Sequence, residues 1–204
     1  MARSIGITGG IGSGKSYICR EFGLKYGILI YYSDVRARVL MENDPNLRKL
    51  IIDEFGQDSY IVSDERVDDT HFTLNRDKFT KLLFSDETSR YKMNSIVHPF
   101  VRDEYYKLCE WSPDYVLFES AILFDGEDRI KTDYNILVVA DMDVRIKRVQ
   151  ERNLIGVEDI MKRINVQTSN DFKRQFADYV ITNNGDEDEL DKQINEVHQK
   201  ILSL

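Results

Sequence analysis

The chain has 204 residues, with 28 Lys and Arg against 36 Asp and Glu for a formal charge of −8, and 42% of it is apolar. That length and apolar share suffice for one domain with a sizeable core, and 11 Tyr and 10 Phe against 3 Pro exclude a disordered or low-complexity chain. No apolar run approaches the roughly 20 residues a bilayer requires, and the acidic balance opposes non-specific binding to nucleic acid, so neither partner is expected.

Met1-Ala2-Arg3-Ser4 runs directly into a strand-like segment with no signal-peptide pattern, and Cys19 and Cys109 lie far apart. Both features fit a cytoplasmic protein with two buried thiols. The first strand is expected over Ser4 to Thr8, and further strands over Ile28 to Tyr32, Tyr115 to Glu119, Tyr134 to Ala140 and Tyr179 to Thr182. Several are continuous apolar runs, as strands covered on both faces require. Helical periodicity fills the gaps, so the alternation predicts an α/β layered fold with a mostly parallel sheet. Between the second and third strands the pattern is helical: Leu47, Leu50, Ile51 and Phe55, then Phe79, Leu82 and Leu83, then Val101, Tyr105 and Leu108. Ser63 to Thr70 reads as a polar loop inside this block, and a closing helix is expected from about Glu187 to Leu202.

Directly after the first strand comes Gly9-Gly10-Ile11-Gly12-Ser13-Gly14-Lys15-Ser16, a match to G-x-x-x-x-G-K-[ST]. Glycines let the backbone turn tightly and aim its N–H groups at phosphate oxygens. The helix starting near Lys15 adds its positive N-terminal dipole. Lys15 is placed to reach the β- and γ-phosphates and the Ser16 hydroxyl to ligate Mg²⁺. The chain therefore reads as a nucleoside triphosphate binder. A regulatory GTPase is disfavoured, because no N-K-x-D is present and Asp53-Glu54-Phe55-Gly56, the D-x-x-G candidate, closes a helical pattern with Gly56 as its cap.

After the second strand stands Tyr32-Ser33-Asp34-Val35-Arg36-Ala37-Arg38. Ligands of open parallel sheets bind beyond the carboxyl ends of strands, where a carboxylate at 34 takes a proton from an attacking hydroxyl, helps to hold Mg²⁺, or simply caps the next helix. Past the fourth strand, Asp141 and Asp143 start a helix on which Arg145, Arg148 and Arg152 share a face. Three stacked arginines in an acidic chain point to an anionic ligand, or else to a solvated salt-bridged face. A second basic helix with Lys162, Arg163 and Gln167 follows, and the pair reads as a closing lid over about residues 145–170.

Taken together, these segments resemble the dephospho-CoA kinases over nearly the whole chain. The resemblance rests on I-T-G-G-I-G-S-G-K-S (7–16), S-D-V-R-A-R (33–38), Phe55-Gly56 and L-N-R-D-K-F-x-x-L-L-F (74–84). It continues through His98-Pro99 with Val101, I-L-F-D (122–125), R-I-K-R-V-x-x-R (145–152), R-I-x-x-Q (163–167) and A-D-Y-V-I-x-N-x-G (177–185). It implies a three-layer P-loop fold with a five-stranded parallel sheet, a helical acceptor-binding insertion and a helical lid. The chain is then one domain, with a core over about 1–35 and 112–204 and the acceptor block over about 36–111. The implied reaction is ATP-dependent phosphorylation of the ribose 3′-hydroxyl of dephospho-CoA, with Mg²⁺, by a monomer or weak homo-oligomer.

Carried over by position, Asp34 matches the catalytic base and works with Lys15. Gly10, Gly12, Ser13, Gly14, Lys15, Ser16, Tyr17, Arg148, Arg152 and Asn183 match nucleotide contacts. Arg38, Arg76 and His98 match the acceptor site, although His98 before Pro99 also reads as a helix cap and Asn183-Asn184-Gly185 as an ordinary turn. Four positions depart from the family pattern: Tyr17 after the loop serine, Tyr32 for the first aspartate of D-x-D, Ala121 for a proline and Asp125 for a glutamate. With Tyr32 in place of an acid, Glu119 is the nearest carboxylate to join Ser16 as a metal ligand.

Overall fold

The computed structural model describes residues 2–63, 71–125 and 129–204; the stretch 64–70 of the expected polar loop lies outside them. Two compact units emerge, one of residues 1–32 with 107–204 and one of residues 33–106.

The first unit holds a parallel sheet of β1 (Arg3–Gly9), β2 (Leu29–Tyr32), β5 (Tyr115–Glu119), β6 (Tyr134–Val139) and β7 (Tyr179–Thr182), in the order β2-β5-β1-β6-β7. All five expected strands are present, and β1 lies at the centre. Ile5, Ile7, Leu117, Ile136, Val138 and Ile181 form one core cluster with Ile18 and Phe22 of α1 (Lys15–Tyr26) and Leu190, Ile194, Val197 and Ile201 of α9 (Glu187–Leu202). Each such side chain contributes about 1.5–3 kcal/mol on burial. The alternate residues Val116, Phe118, Leu137 and Val139 are equally buried, which is why these strands read as unbroken apolar runs. Cys19 and Cys109 are buried and not disulfide-bonded, as expected, and burial pushes the Cys19 thiol up to about 12. Helices α6 (Met142–Asn153), α7 (Val157–Asn165) and the short α8 (Asn170–Arg174) lie between β6 and β7 in the chain.

The second unit contains α2 (Ser33–Asn43), α3 (Pro45–Phe55), α4 (Arg76–Ser85) and most of α5 (Glu87–Trp111). It is not purely helical, as the sequence pattern suggested. β3 (Tyr60–Ser63) and β4 (His71–Leu74) form an antiparallel pair. Asp44 caps α3 by accepting from the N–H groups of Asn46 and Leu47, with Pro45 at the first helical position. Gly56 ends α3 at φ 92°, its N–H bonding Ile52 O, so the D-x-x-G is a helix terminus as expected. Met93, Val97, Val101 and Tyr105 make the buried stripe of α5. Pro99 sits inside that helix without ending it, so His98 is no helix cap.

Candidate functional site

β1 delivers the chain at Gly9 and α1 receives it at Lys15, leaving five residues to turn between the central strand and a helix N-terminus. Gly12 (φ 80°) and Gly14 (φ 87°) adopt left-handed conformations. Steric space is also absent: a Cβ on Gly12 would fall 2.5 Å from the Arg145 carbonyl oxygen, and one on Gly14 only 2.1 Å from Asn183 Nδ2. Ser13 is buried, and its N–H bonds Gly10 O at 3.1 Å. Ser16 stands exposed at the second position of α1, and Arg20 lies 5.0 Å from the Tyr17 ring centroid.

Strand register brings Glu119 to the loop, because β5 runs beside β1 with Ile7 opposite Glu119. The Lys15 ammonium donates to the Glu119 carboxylate, and both side chains are largely buried. Tyr32 is the register partner of Glu119 from β2, and desolvation is the main cause raising its phenol above the ordinary value. The acid at the carboxyl edge of the sheet is therefore on β5, next to the strand whose aspartate is replaced.

Around the loop stands a wall that the sequence pattern did not reveal. Both backbone polar groups of Ile11 are taken: Arg145 Nε donates to its carbonyl at 2.9 Å, and its N–H donates to Gln167 Oε1 at 2.9 Å. Arg145 is 7% exposed, and burial lowers its pKa from the ordinary guanidinium value. Arg148 donates from both terminal nitrogens to Asn183, at 2.9 Å to the backbone oxygen and 2.9 Å to Oδ1. Asn183 is itself buried and donates through Nδ2 to Ser13 O at 3.1 Å. Asn184 closes the next turn onto Asp141 through the Asp141 N–H and carboxylate. Asn183-Asn184-Gly185 is therefore a wired structural element rather than an ordinary turn.

Of the three arginines expected to face one ligand, Arg145 and Arg148 brace backbone. Arg152 is exposed at the end of α6, its Nε on Asn153 Oδ1. A cavity of about 310 Å³ opens beside the loop, lined in part by Gly14, Tyr17, Arg148, Asn183, Gly185 and Asp186. It gathers Tyr17, Arg148 and Asn183 and leaves Arg152 outside.

In the second unit, Asp34 and Arg38 are one helical turn apart on α2 and both are exposed. Arg38 and Arg76 line a cavity of about 400 Å³ with Met41, Glu42, Leu74, Phe79 and Thr80. Arg76 Nη2 lies 3.7 Å from Glu42 Oε1, with the arginine side chain 69% exposed. The end of α2 is fixed by the Tyr60 hydroxyl on Met41 O at 2.8 Å and by Arg48 on Glu42 O at 2.9 Å. Half-buried His98 on α5 is not among the lining residues.

Sequence reasoning missed Lys173 of α8, which is 1% exposed and donates to Ala121 O at 3.1 Å. Nothing local marks it, since Lys173-Arg174 reads as the basic end of a surface helix.

The dephospho-CoA kinase family profile matches residues 3–189. The dephospho-CoA kinase of Photobacterium profundum is 30% identical over 205 residues, spanning 100% of this chain and 98% of its own. TT1252 from Thermus thermophilus, a solved structure, is 26% identical with a TM-score of 0.77, covering 98% of this chain and 97% of its own. A Campylobacter jejuni dephospho-CoA kinase structure shares the fold at TM-score 0.64 and 19% identity, covering 100% and 98% of the two chains.

Proposed function

The chain belongs to the dephospho-CoA kinase family, and on that premise we propose how its residues divide the work of the reaction. The enzyme transfers the γ-phosphoryl group of ATP to the ribose 3′-hydroxyl of dephospho-CoA, the last step of coenzyme A biosynthesis. Such a transfer needs alignment of acceptor and phosphoryl group, neutralisation of the phosphates, and a group that orients the nucleophile.

Lys15 and the loop amides other than those of Ile11 and Ser13, which are held within the protein, receive the β- and γ-phosphates, with the Lys15 ammonium leaving Glu119 for the phosphate oxygens. The 310 Å³ cavity takes the nucleoside, against Tyr17, with Asn183 and Arg148 setting its wall. Asp34 accepts the proton of the attacking hydroxyl or orients it. Arg38 and Arg76 hold acceptor phosphates in the 400 Å³ cavity, whose Met41, Leu74 and Phe79 suit an uncharged portion of the same molecule. His98 contributes to acceptor binding, and Arg152 contacts the nucleotide on closure of the lid.

The Ser16 hydroxyl and the Glu119 carboxylate are oxygen donors of the kind Mg²⁺ accepts, and a two-residue set suits a metal whose other ligands are phosphates and waters. When bound, Mg²⁺ supplies charge neutralisation at the phosphates. A cytoplasmic location and a monomer or weak homo-oligomer complete the proposal. No helix among the described residues is long and apolar enough to cross a membrane.

The observation that carries the reading is the agreement of a family match over residues 3–189 with a loop whose glycines have no room for a side chain. Its test is a transfer assay with ATP against dephospho-CoA, nucleosides and nucleoside monophosphates, identifying products by mass and the modified position by phosphorus NMR. Phosphorylation of dephospho-CoA alone at the 3′-hydroxyl is expected. Preferred transfer to another acceptor, or ATP binding without any transfer, overturns the assignment.

A further inference from the structure

Lys173 raises a physical question that the reaction as set out above leaves open. An ammonium taken from water to a site 1% exposed is destabilising unless strongly partnered, and an apolar side chain of similar length would fill the same space without that cost. Its hydrogen bond is to a neutral acceptor, the Ala121 carbonyl at 3.1 Å, with Asp125 the carboxylate that opposes its desolvation. Burial lowers its pKa from the ordinary lysine value, and the nearby cations Lys15 and Arg145 push in the same direction. Stability of the fold alone gives no reason for a cation here.

The surroundings supply one. Ala121 stands two residues beyond Glu119, in the turn that leaves the carboxyl end of β5. That turn is tied to β1 by Ser120 N–H on Ile7 O at 3.1 Å and by Thr8 Oγ1 on Ala121 O at 3.4 Å. Five residues before Lys173, Thr168 Oγ1 donates to Asp125 Oδ1 at 2.6 Å, and one residue earlier Gln167 holds the Ile11 N–H. Ser169 caps α8 by accepting from Phe172 N–H, which fixes the direction in which Lys173 leaves the helix. Phe176 packs 5.3 Å from Phe124, so the same two segments also meet through apolar surface. Residues 167–173 thus form a bracket with one foot on the phosphate loop and two on the turn after Glu119. These are the two segments that present Lys15 and Glu119 to each other.

We propose that Lys173 is a positioning residue for phosphoryl transfer: its buried ammonium locks the 167–173 bracket onto the post-β5 turn and so fixes the phosphate loop relative to Glu119. The inference rests on the reaction assigned above. A cation suits the task because it holds a carbonyl more strongly than a neutral donor does. The feet at Thr168 and Lys173 bear on the turn after Glu119 and leave the Arg145 and Gln167 bonds to Ile11 in place, so loosening them should largely spare ground-state binding and degrade the transition-state arrangement.

The test compares wild type, Lys173→Met and Thr168→Val in nucleotide-free and turnover conditions, with Tm recorded for each. Lys173→Met removes the buried charge while keeping the volume, and a Tm at or near wild type is expected. Its kcat should fall about 10- to 100-fold with KM for ATP changed less than about 3-fold, the cost of a sub-ångström misplacement of catalytic groups. Amides of residues 9–16 should exchange with solvent several-fold faster in the nucleotide-free variant than in wild type. Thr168→Val, which leaves Lys173 in place and removes one hydrogen bond to the Asp125 carboxylate, should show the same signature at about 3- to 10-fold in kcat. Wild-type kcat together with wild-type exchange in folded Lys173→Met overturns the proposal, and Thr168→Val decides in the same terms where Lys173→Met does not fold. A wild-type enzyme that transfers nothing to dephospho-CoA overturns the assigned reaction instead, and unchanged exchange in the variants then overturns the bracket separately.

Discussion

The two cavities hold their polar groups in opposite ways. Beside the phosphate loop, Arg145, Arg148, Asn183 and Gln167 are committed to backbone partners at 2.9–3.1 Å. In the second unit, Arg76 is 69% exposed and 3.7 Å from the Glu42 carboxylate, a separation at which an exposed ion pair contributes little. One site is built into the fold and the other is a surface that its ligand must complete. The difference teaches that substitutions in the first should act on the chemical step and on stability together, whereas those in the second should act on acceptor affinity.

The largest effect should come from Asp34, which belongs to the second unit by position and to the chemistry by role. Asp34→Asn is expected to lower kcat about 10²- to 10⁴-fold while ATP affinity by calorimetry stays near wild type. Turnover near wild type would remove Asp34 from the mechanism. Next comes the built-in wall. Asn183→Ala takes the partner from Ser13 O and from one terminal nitrogen of Arg148, which keeps only its bond to the backbone carbonyl of residue 183. A fall of about 10- to 100-fold in kcat/KM for ATP, a lower Tm and an unmoved KM for dephospho-CoA are expected. If Tm and the nucleotide constants hold, the wall is not pre-built in the sense argued.

Arg76→Ala should show the mirror image. KM for dephospho-CoA should rise about 10-fold, consistent with one lost charge-assisted hydrogen bond, with kcat, KM for ATP and Tm unchanged. A loss of kcat instead would place Arg76 in the chemistry. The smallest effect belongs to neither cavity. His198 is buried on α9, its Nδ1 2.8 Å from the Tyr115 hydroxyl at the start of β5 and its ring stacked 3.8 Å from Tyr26. Burial lowers its pKa below the ordinary 6.5, so the unfolded chain binds the proton more readily. Its contribution to stability is full above pH 6.5 and is lost as pH falls toward the lowered folded value. Wild type should therefore lose about 1–3 °C more in Tm than His198→Gln between pH 7.5 and 5.5, with kinetic constants equal at pH 7.5. Equal Tm slopes would show that His198 is not the titrating group.

What could be read from the sequence was what is local. The strands β1, β5 and β6 appear as apolar runs because they are largely covered on both faces, and the phosphate loop appears because a tight turn needs its glycines in one short stretch. The β3–β4 pair did not appear. Its strands have four residues each, and Arg48 against the Phe72 ring with the Tyr60 hydroxyl on α2 supports it from a distance. Pro99 misled in the opposite sense, since the buried stripe of α5 carries the helix through a residue that would end an isolated one. The wall was invisible for a simple reason. Its hydrogen bonds join residues 134, 156 and 170 positions apart, and an arginine, a glutamine or an asparagine carries no sign of which backbone group it will meet.

The doubly held backbone of Ile11 bears on the thermodynamics of nucleotide binding. Because Arg145 and Gln167 fix it through bonds made wholly within the protein, the loop's loss of conformational entropy occurs during folding and not on arrival of ATP. Folding stability and nucleotide affinity are thereby coupled. A substitution that releases Ile11 transfers the ordering cost from one equilibrium to the other, and calorimetry should register it as a less favourable binding entropy at nearly constant enthalpy.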